Sequence, residues 1–338
     1  MTPVLGSAAP GLEADAVANV IATPHRIDVH HHFFPERYMK EMAERGISAA
    51  GDVHVPDWTP EKALAMMDRN GIETAIASIA APGVYFGDRA AARALARHVN
   101  EYAARLVSDH PQRFGAFASL PLPDVDAALE EISYSLDTLR LDGVNLLSNV
   151  GGTYLGDQEF DAVFAELNRR KAVVFIHPEV SATSRDLKLA LPGALVEFVF
   201  DTTRAVANLI YSGTLERYPD ISIILPHAGG TVPFLSGRLA LGELVPALKE
   251  RAPKGAIAYL RRLYYETALS TAPCAMGALR ELVDPSHILY GSDNPFLPEP
   301  LIGKSIETFA AYNGFTSSAR RAIERDSALA LFPRLNGN

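Results

Sequence analysis

Short apolar runs alternate with longer amphipathic segments along most of the chain. The runs are rich in Ile, Val, Leu, Phe and Tyr, and they are continuously apolar rather than alternating with polar residues. This pattern is typical of strands that are buried on both faces. It predicts eight strands, at residues 26–31, 74–79, 114–120, 143–147, 172–177, 221–226, 263–266 and 287–290.

The segments between these strands have the length and the end signals of helices. Thr59-Pro60-Glu61 combines a capping residue with a proline in the first turn, and Asn70-Gly71 ends the same segment. Further helices are predicted over residues 89–110, 125–140, 158–170, 195–211, 232–249 and 273–283, and from about residue 301 onwards. Eight strand–helix units predict an α/β chain folded as a (β/α)8 TIM barrel, typically ~250 residues plus insertions. An open doubly wound sheet is the alternative.

The chain is predicted to form one catalytic domain preceded by an arm. No repeat, low-complexity tract or linker divides residues 26–338, which we assign to a single barrel. Residues 1–25 are rich in Ala, Gly, Pro and Val and lack the positive start and apolar core of a secretory signal. We interpret them as an N-terminal arm, partly helical around residues 12–21, that could dock on a partner subunit.

Composition and charge narrow the possible partners. Of the 338 residues, 48% are hydrophobic and 21% are charged, which is an ordinary globular balance. The net charge of −9, without a long basic run, argues against nucleic acid or an anionic membrane as the main partner. No apolar run reaches the roughly 18–20 residues of a membrane span. Cys274 is the only cysteine, which excludes an intrachain disulfide and suits a reducing, cytoplasmic location.

Candidate metal-binding residues lie where predicted strands end. In a (β/α)8 barrel the catalytic groups gather at the C-terminal ends of the strands. His30 and His32 lie at the end of the first predicted strand, and His177 ends the fifth. His227 follows the sixth strand, and Asp293 follows the eighth. Imidazole and carboxylate groups together suit Zn²⁺ and similar divalent ions.

Strand geometry separates the three histidines of Ile27-Asp28-Val29-His30-His31-His32. Because side chains alternate between the two faces of a strand, His30 and His32 point the same way and His31 points the other way. Two imidazoles on one face can share one metal ion. We therefore predict that His30 and His32 form half of a metal site and that His31 packs or hydrogen-bonds behind the barrel wall.

Each of these signals also has a purely structural interpretation. A histidine at a strand end is often only hydrogen-bonded, and Gly-Ser-Asp-Asn-Pro is in itself a good turn sequence. Their joint placement at strand ends favours the metal site. The remaining histidines have no such placement: His25, His54, His98, His110 and His287. Of these, His287 begins the eighth predicted strand, at the opposite end of the barrel.

Several motifs give the chain a resemblance to a known family. "DVHHH", "FIHP", "LPHAGGTVPFLSGR" and "YGSDNPF" resemble the amidohydrolase superfamily (amidohydrolase-related family 2), as does "FDTTRAVANLIYSGTLERYPD". Within it, the chain is similar to the branch of aminocarboxymuconate-semialdehyde decarboxylase and γ-resorcylate decarboxylase, from about residue 26 to residue 335. "MDRNGI", "LPLPDVDAAL" and "LLSNVGGTYLGD" look most like the 6-methylsalicylate decarboxylases of that branch.

The resemblance implies roles for the strand-end residues. His30, His32, His177 and Asp293 would bind one divalent metal ion, with Zn²⁺ favoured and Mn²⁺ as the alternative. His227 would be an acid/base group beside the metal rather than a ligand. Asp293 would also be the proton donor to a ring carbon, with His227 moving the proton in a route through metal-bound water.

The resemblance also implies substrate-binding residues. Arg238 matches an arginine that binds the substrate carboxylate in the family, sometimes in the site of a neighbouring subunit, so a homodimer or homotetramer is expected. A surface cation is the alternative interpretation of Arg238. Arg204 is a second candidate for holding an anion. Trp58 and Phe296, with Tyr85, Phe86 and Tyr154, lie near predicted loops on the catalytic side and could line a pocket for a ring or pack at its rim.

Departures from the family pattern refine these expectations. Residues 146–149 read Leu-Leu-Ser-Asn and contain no lysine, whereas binuclear relatives use a carboxylated lysine there, so one metal is expected. His30 stands where some decarboxylases have glutamate. Residues 46–57 contain no arginine, which favours a monocarboxylate. Gly230 stands where some relatives carry an acidic residue, so this chain has no acidic side chain to act at that position.

The resemblance implies a metal-dependent, non-oxidative decarboxylase of an aromatic or unsaturated carboxylic acid. A salicylate-like compound such as 6-methylsalicylate is the expected small-molecule substrate. A mononuclear metal-dependent hydrolase acting on a C–C, lactone or amide bond is the alternative, because fold and ligands do not separate these reactions. A metal-free scaffold or binding protein is a third class, which the intact set of ligands disfavours.

Overall fold

A computed structural model of the chain describes residues 25–336. Of the predicted N-terminal arm, only His25 falls within this range, and residues 1–24 lie outside the described residues. The arm and its docking therefore stay predictions.

Eight parallel strands form the centre of the fold. They follow one another around the sheet in chain order, and each pairs in parallel with the next. A parallel bridge between Asp28 and Tyr290 joins the last strand to the first, so the predicted (β/α)8 barrel is confirmed. The strands are β1 Arg26–His32, β2 Ile72–Ser78, β3 Phe114–Ser119, β4 Gly143–Leu147, β5 Val173–His177, β6 Ser222–Leu225, β7 Tyr264–Glu266 and β8 Ile288–Leu289.

Helices and two small hairpins connect the barrel strands. The hairpins pair Ala49–Ala50 with Val53–His54, after β1, and Asn149–Val150 with Thr153–Tyr154, after β4. The helices are α1 Glu36–Glu44, α2 Pro60–Arg69, α3 Arg89–Asp109, α4 Val125–Ser133, α5 Asp161–Arg169, α6 Ala182–Arg185, α7 Glu197–Tyr211, α8 Thr214–Arg217, α9 Val232–Ala240, α10 Pro246–Arg251, α11 Ala256–Leu260, α12 Pro273–Leu282, α13 Glu299–Ala311, α14 Ser317–Arg321 and α15 Ser327–Leu331.

Most helix boundaries follow local sequence signals. Thr59 caps α2 as predicted, since its Oγ1 accepts a hydrogen bond from the Lys62 backbone N–H at 3.2 Å. The single helix predicted over residues 232–249 is wrong. It is divided into α9, a 3₁₀ turn at Leu241–Leu244 and α10, because Pro246 cannot donate the backbone hydrogen bond that a continuous helix needs.

The barrel interior is filled by large apolar side chains that point inward from the strands. Ile27, Val29, Phe117, Phe175 and others form one buried cluster. The C-terminal segment closes the lower end, where the ring of Phe332 lies 5.9 Å from that of Phe117. Because the interior is packed and its lower end is closed, the space for chemistry lies at the C-terminal ends of the strands.

None of the helices in residues 25–336 has the length and apolar character needed to cross a membrane.

Candidate metal centre

The end of β1 separates its three histidines as predicted, after a register shift between Asp28 and His31 in the pairing with β2. The Nε2 atoms of His30 and His32 lie 3.0 Å apart on one face. His31 lies on the other face, with its Nδ1 atom 3.3 Å from Asp28 and its Nε2 atom 3.1 Å from the side-chain amide of Asn294. All three imidazoles are fully buried.

Asp293, after β8, completes a triangle of donor atoms with the two histidines. Its Oδ1 atom lies 3.1 Å from His32 Nε2 and 3.2 Å from His30 Nε2. The position is fixed by a backbone hydrogen bond of 2.8 Å from the Asp293 N–H to the carbonyl of His30. Ligands that are each about 2.0–2.2 Å from one ion lie roughly 3–3.5 Å from one another. The triangle therefore has the dimensions of one face of a metal site.

His177, at the end of β5, brings a third imidazole to the same place. One ring nitrogen from each of His30, His32 and His177 lies within 4.8 Å of the others. The ring of His177 is centred 5.0 Å from that of His32 and 5.6 Å from that of His30. The structure thus brings together the four residues predicted to be ligands, and their role as ligands stays a prediction.

Hydrogen bonds at the far side of each ring orient the three imidazoles. The Nδ1 atoms of His30, His32 and His177 lie 2.9, 3.2 and 2.8 Å from oxygen atoms of Glu266, Ser78 and Pro178, respectively. An Nδ1 that donates to oxygen leaves a lone pair on Nε2. Three such lone pairs converge beside a carboxylate, an arrangement that is repulsive by itself and that a divalent cation would stabilise. The donor set therefore fits one metal ion.

The electrostatics of the site also favour positive charge between these residues. Burial lowers the pKa of His30, but the carboxylates of Glu266 and Asp293 outweigh burial and raise it to about 10. Burial and neighbouring His32 and His30 hold the pKa of His177 well below its usual value. Burial raises the pKa of Asp293, yet the charge of His30 and the close contacts with His30 and His32 outweigh burial and hold that pKa far below its usual value. The carboxylates of Glu266 and Asp293 thus favour positive charge at the place where a metal cation would lie.

His227 is held beside the centre by a strained turn after β6. Its φ is 52° and that of Ala228 is 57°, both in the left-handed region that non-glycine residues rarely adopt. The turn needs glycine at position 230, because a Cβ there would lie 2.2 Å from the carbonyl oxygen of Val199. Neither ring nitrogen of His227 has a hydrogen-bond partner among residues 25–336, and Nε2 lies 3.7 Å from Asp293 Oδ2. The imidazole thus lies beside the Asp293 carboxylate, and its role as an acid or base stays a prediction.

Glu266 is a residue of the site that the sequence did not reveal. It lies fully buried at the end of β7. Its Oε1 atom accepts from the His227 backbone N–H at 2.5 Å and is the Nδ1 partner of His30. Gly291 makes room for it, because a Cβ at that position would lie 1.9 Å from Glu266 Oε2. One carboxylate thus positions both a predicted ligand and the predicted acid/base group.

An apolar cavity of about 330 Å³ opens directly onto the centre. His177, His227 and Asp293 line one side of it. Phe198 and Phe296 line it as well, and their rings are centred 5.9 Å from His177 and 5.5 Å from His32, respectively. The volume lies within the range of small-ligand sites, and the two aromatic walls suit a planar guest. Phe296 was predicted from the sequence and Phe198 was not.

The other predicted substrate-binding residues do not line this cavity. Trp58 is buried and packs near Phe33 and Tyr102. Arg204 lies 3.7 Å from Asp201 and 3.8 Å from Glu197. Arg238 is exposed on α9. Their binding roles stay predictions that the single chain does not test.

We expect His31→Ala to lower stability and to spare the metal centre. The substitution removes a fully buried ring and leaves Asp28 and Asn294 without their imidazole partner. A cost of about 2–4 kcal/mol in the free energy of unfolding is expected. Denaturant unfolding and elemental analysis of the folded fraction measure the two effects. Loss of metal at unchanged stability would show that His31 belongs to the metal site.

Comparisons with known proteins extend this description. A family model described as amidohydrolase matches residues 27–334. Decarboxylase yanB of Aspergillus niger is 41% identical over 323 residues, which are 91% of this chain and 88% of that protein. The 6-methylsalicylic acid decarboxylase of Penicillium expansum is 38% identical over 317 residues, which are 92% of this chain and 97% of that protein.

A solved structure has the same fold. It is a dihydroxybenzoic acid decarboxylase from Polaromonas sp. JS666, crystallised with bound manganese and the inhibitor 2-nitroresorcinol. The two chains are 22% identical and superpose with a TM-score of 0.80 over 94% of this chain and 98% of that one.

Proposed function

Since the chain belongs to the amidohydrolase family, we propose that it is a metal-dependent, non-oxidative decarboxylase of a salicylate-like acid. Relatives that span nearly the whole chain and carry the names decarboxylase and 6-methylsalicylic acid decarboxylase support this reaction class. The observation that carries the proposal is the convergence of three imidazoles and one carboxylate on an apolar cavity with aromatic walls. We take 6-methylsalicylate as the first candidate substrate.

His30, His32, His177 and Asp293 would hold a single divalent metal ion. When bound, the ion would act as a Lewis acid for the carboxylate and the adjacent hydroxyl oxygen of the substrate. Zn²⁺ is our first choice because three imidazoles and one carboxylate are ligands that it prefers. Mn²⁺ is the alternative, since manganese is bound in the Polaromonas decarboxylase.

The residues of the chain supply a proton to the substrate. Decarboxylation requires a proton at the ring carbon that bears the carboxyl group, after which the electrons of the breaking C–C bond restore the aromatic ring. Asp293 lines the cavity and is our candidate donor to that carbon. Its pKa is held well below the usual value, so it is ionised before a substrate arrives and must first gain a proton. His227, with Nε2 at 3.7 Å from Asp293 Oδ2, is placed to bring it.

The apolar walls would orient the ring and keep water away. Phe198 and Phe296 flank the histidines, and Leu195 and Leu269 lie at the mouth of the same cavity with 68% and 56% of their surfaces exposed. A dry cavity strengthens the electrostatic interactions of the site and disfavours attack by water. This environment suits proton transfer to carbon better than hydrolysis.

We also propose that the active unit is a homodimer or homotetramer in the cytoplasm. Phe234 on α9 and Leu244 after it are exposed by 86% and 79%, and Arg238 lies on the same helix. Large exposed apolar side chains are typical of surfaces that bind another chain. In such an assembly, Arg238 of one subunit could reach the substrate carboxylate in the neighbouring site. The single cysteine suits the reducing cytoplasm.

Product analysis tests the reaction. We expect the metal-loaded protein to convert 6-methylsalicylate into carbon dioxide and 3-methylphenol, and to act on 2,6-dihydroxybenzoate in the same way. In D₂O, one deuterium should enter at the carbon that loses the carboxyl group. Panels of esters, lactones and amides serve as the comparison. Turnover of those compounds without release of carbon dioxide from any hydroxybenzoate would favour the hydrolase instead.

A further inference from the structure

Glu266 lies between the proposed metal centre and the turn that carries His227. This turn, residues 227–230, follows β6, whereas Glu266 ends β7 and is fully buried. One oxygen atom of the carboxylate, Oε1, lies 2.9 Å from His30 Nδ1 and accepts the His227 backbone N–H at 2.5 Å. A predicted ligand and the turn therefore meet at a single atom of one side chain.

The other contacts of Glu266 leave its carboxylate little freedom to move. Oε2 accepts the Ala268 backbone N–H at 2.5 Å. A Cβ at position 291 would lie 1.9 Å from Oε2, so the backbone of Gly291 packs directly against the carboxylate. Because the group is buried and both its oxygen atoms are bonded, a displacement would break hydrogen bonds that water cannot replace. The carboxylate can therefore transmit a constraint from His30 to the turn.

The turn is a segment that needs such a constraint. The φ values of His227 and Ala228 are 52° and 57°, and a left-handed backbone persists only where its surroundings enforce it. The N–H that donates to Glu266 belongs to this strained segment. If that hydrogen bond weakens, the turn should open more often, and exchange of its amide hydrogens with solvent would report the opening.

An ion at the centre would strengthen the same link. A carboxylate only accepts hydrogen bonds, so the Nδ1 atom of His30 carries the hydrogen, and Nε2 faces His32 and Asp293. An ion on Nε2 would hold the imidazole between itself and Glu266, the usual arrangement when a carboxylate supports a metal-bound histidine. A ring that is held at both ends restrains the carboxylate, and the carboxylate restrains the turn.

We propose that Glu266 is a positioning residue through which metal binding at His30 stabilises the His227 turn. The ion that binds the substrate would then also stabilise the position of the proposed acid/base group. Coupling between two sites is reciprocal, so an ordered turn should raise the affinity of the centre for its ion by the same factor. This inference rests on the metal ligands of the proposed function but not on its reaction.

Hydrogen–deuterium exchange of the full chain, with and without Zn²⁺ at a saturating concentration, measures the effect. In the wild type, Zn²⁺ should slow exchange of the amide hydrogens of residues 227–230 at least about tenfold, a common size for coupling between two sites. Glu266→Gln should remove this difference. In glutamine, an NH₂ group replaces one oxygen, so no orientation of the side chain can accept from His30, His227 and Ala268 together. Equal exchange in metal-free and zinc-loaded wild type, or full slowing in zinc-loaded Glu266→Gln, would overturn the proposal.

His227→Asn separates this route from direct contact between the ion and the His227 ring. His30, His227 and Asp293 each offer an atom within 4.8 Å of the others, so the ring itself could reach the ion. Asparagine tolerates a left-handed backbone and keeps the N–H, but its side chain is too short to replace Nε2. Zinc-dependent slowing at residues 227–230 should therefore persist in His227→Asn. Its loss there would show that the ion acts through the ring, and this comparison decides the question even if Glu266→Gln does not fold.

Zinc affinity and a second buried carboxylate provide the reciprocal test. In competition with a chelator, Glu266→Gln should bind Zn²⁺ about 10–100-fold more weakly than the wild type. Glu131 on α4 is the matched control, since its buried carboxylate pairs with Arg97 and Asn100. Glu131→Gln should leave both zinc affinity and zinc-dependent slowing unchanged. The same losses in Glu131→Gln would show a general effect of removing a buried charge and would refute the specific role of Glu266.

The two proposals can fail separately, because exchange is measured without substrate. A chain that shows the zinc-dependent slowing but decarboxylates no hydroxybenzoate would overturn the proposed reaction alone. A decarboxylase whose turn does not respond to Zn²⁺ would overturn this inference alone.

Discussion

His177→Ala is expected to abolish both metal binding and decarboxylation. The substitution removes one of the three imidazoles that converge at the ends of β1 and β5, and it leaves two histidines and Asp293. A mononuclear site with a missing ligand binds its ion much more weakly, and the reaction then loses its Lewis acid. We expect less than about 0.1 metal ion per chain after dialysis, against about one in the wild type, and a fall in activity of roughly 10³-fold or more.

Elemental analysis and carbon dioxide release measure the two losses on the same preparation. His98→Ala is the matched control, since it removes an imidazole from α3 that has no place in the site. Thermal melting shows whether His177→Ala remains folded. A folded His177→Ala protein that keeps its metal and its activity would refute the assignment of the centre.

The barrel could be predicted from the sequence because its strands are buried on both faces. Continuous apolar runs marked all eight strands, and β4 begins and ends at the predicted residues. The lengths of the helices were harder to predict. The helix predicted over residues 125–140 is α4 followed by a π-helical turn at Tyr134–Thr138, and that predicted over residues 232–249 is broken before Pro246. Such breaks depend on tertiary packing as well as on local pattern.

The parts of the metal centre that could be predicted are those in which a local rule fixes the direction of a side chain. Alternation along β1 is enough to separate His31 from His30 and His32, and strand ends are where a barrel collects its catalytic groups. The family match confirms the resemblance to amidohydrolases that the motifs indicated. These rules locate candidates, but they do not specify the contacts between them.

Glu266 and Phe198 show what the sequence could not reveal. Glu266 reaches His30 and the backbone of His227 only because β7 pairs with β6 and β8 in the observed register. Phe198 faces the cavity only because the start of α7 packs beside β5. Neither residue carries a motif, and both depend on elements that are distant in sequence. A buried glutamate at the end of a predicted strand was the one available signal.

Backbone strain coincides with the two predicted proton-transfer residues. His227 and Asp293 both have left-handed φ values, 52° and 59°, although neither is glycine. Such a conformation costs energy and persists only where the surroundings enforce it. Here the backbone bond of Asp293 to His30 and that of His227 to Glu266 provide the enforcement. The fold therefore holds both side chains at fixed positions beside the cavity.

Asp293→Asn is expected to reduce decarboxylation by roughly 10²–10⁴-fold, the usual contribution of a positioned acid or base. Asparagine has the same shape, tolerates the left-handed backbone at this position and can still offer an oxygen to a metal, but it has no proton to donate. Fold and much of the metal affinity should survive. In D₂O, the same variant should also slow exchange of the 3-methylphenol hydrogen on the ring carbon that bore the carboxyl group. This is expected because the same group would both deliver a proton to that carbon and remove one from it.

Rates measured at saturating metal distinguish a proton donor from a simple ligand. If Asp293 is the donor, excess metal leaves the Asp293→Asn rate low and the ring-hydrogen exchange slow. If excess metal restores both, Asp293 acts only as a ligand, and the proposed role of this carboxyl group is wrong. His227→Ala supplies the comparison, since its ring is the nearest available source of a proton for Asp293. A His227→Ala protein with much slower exchange than Asp293→Asn would transfer the role of donor to His227.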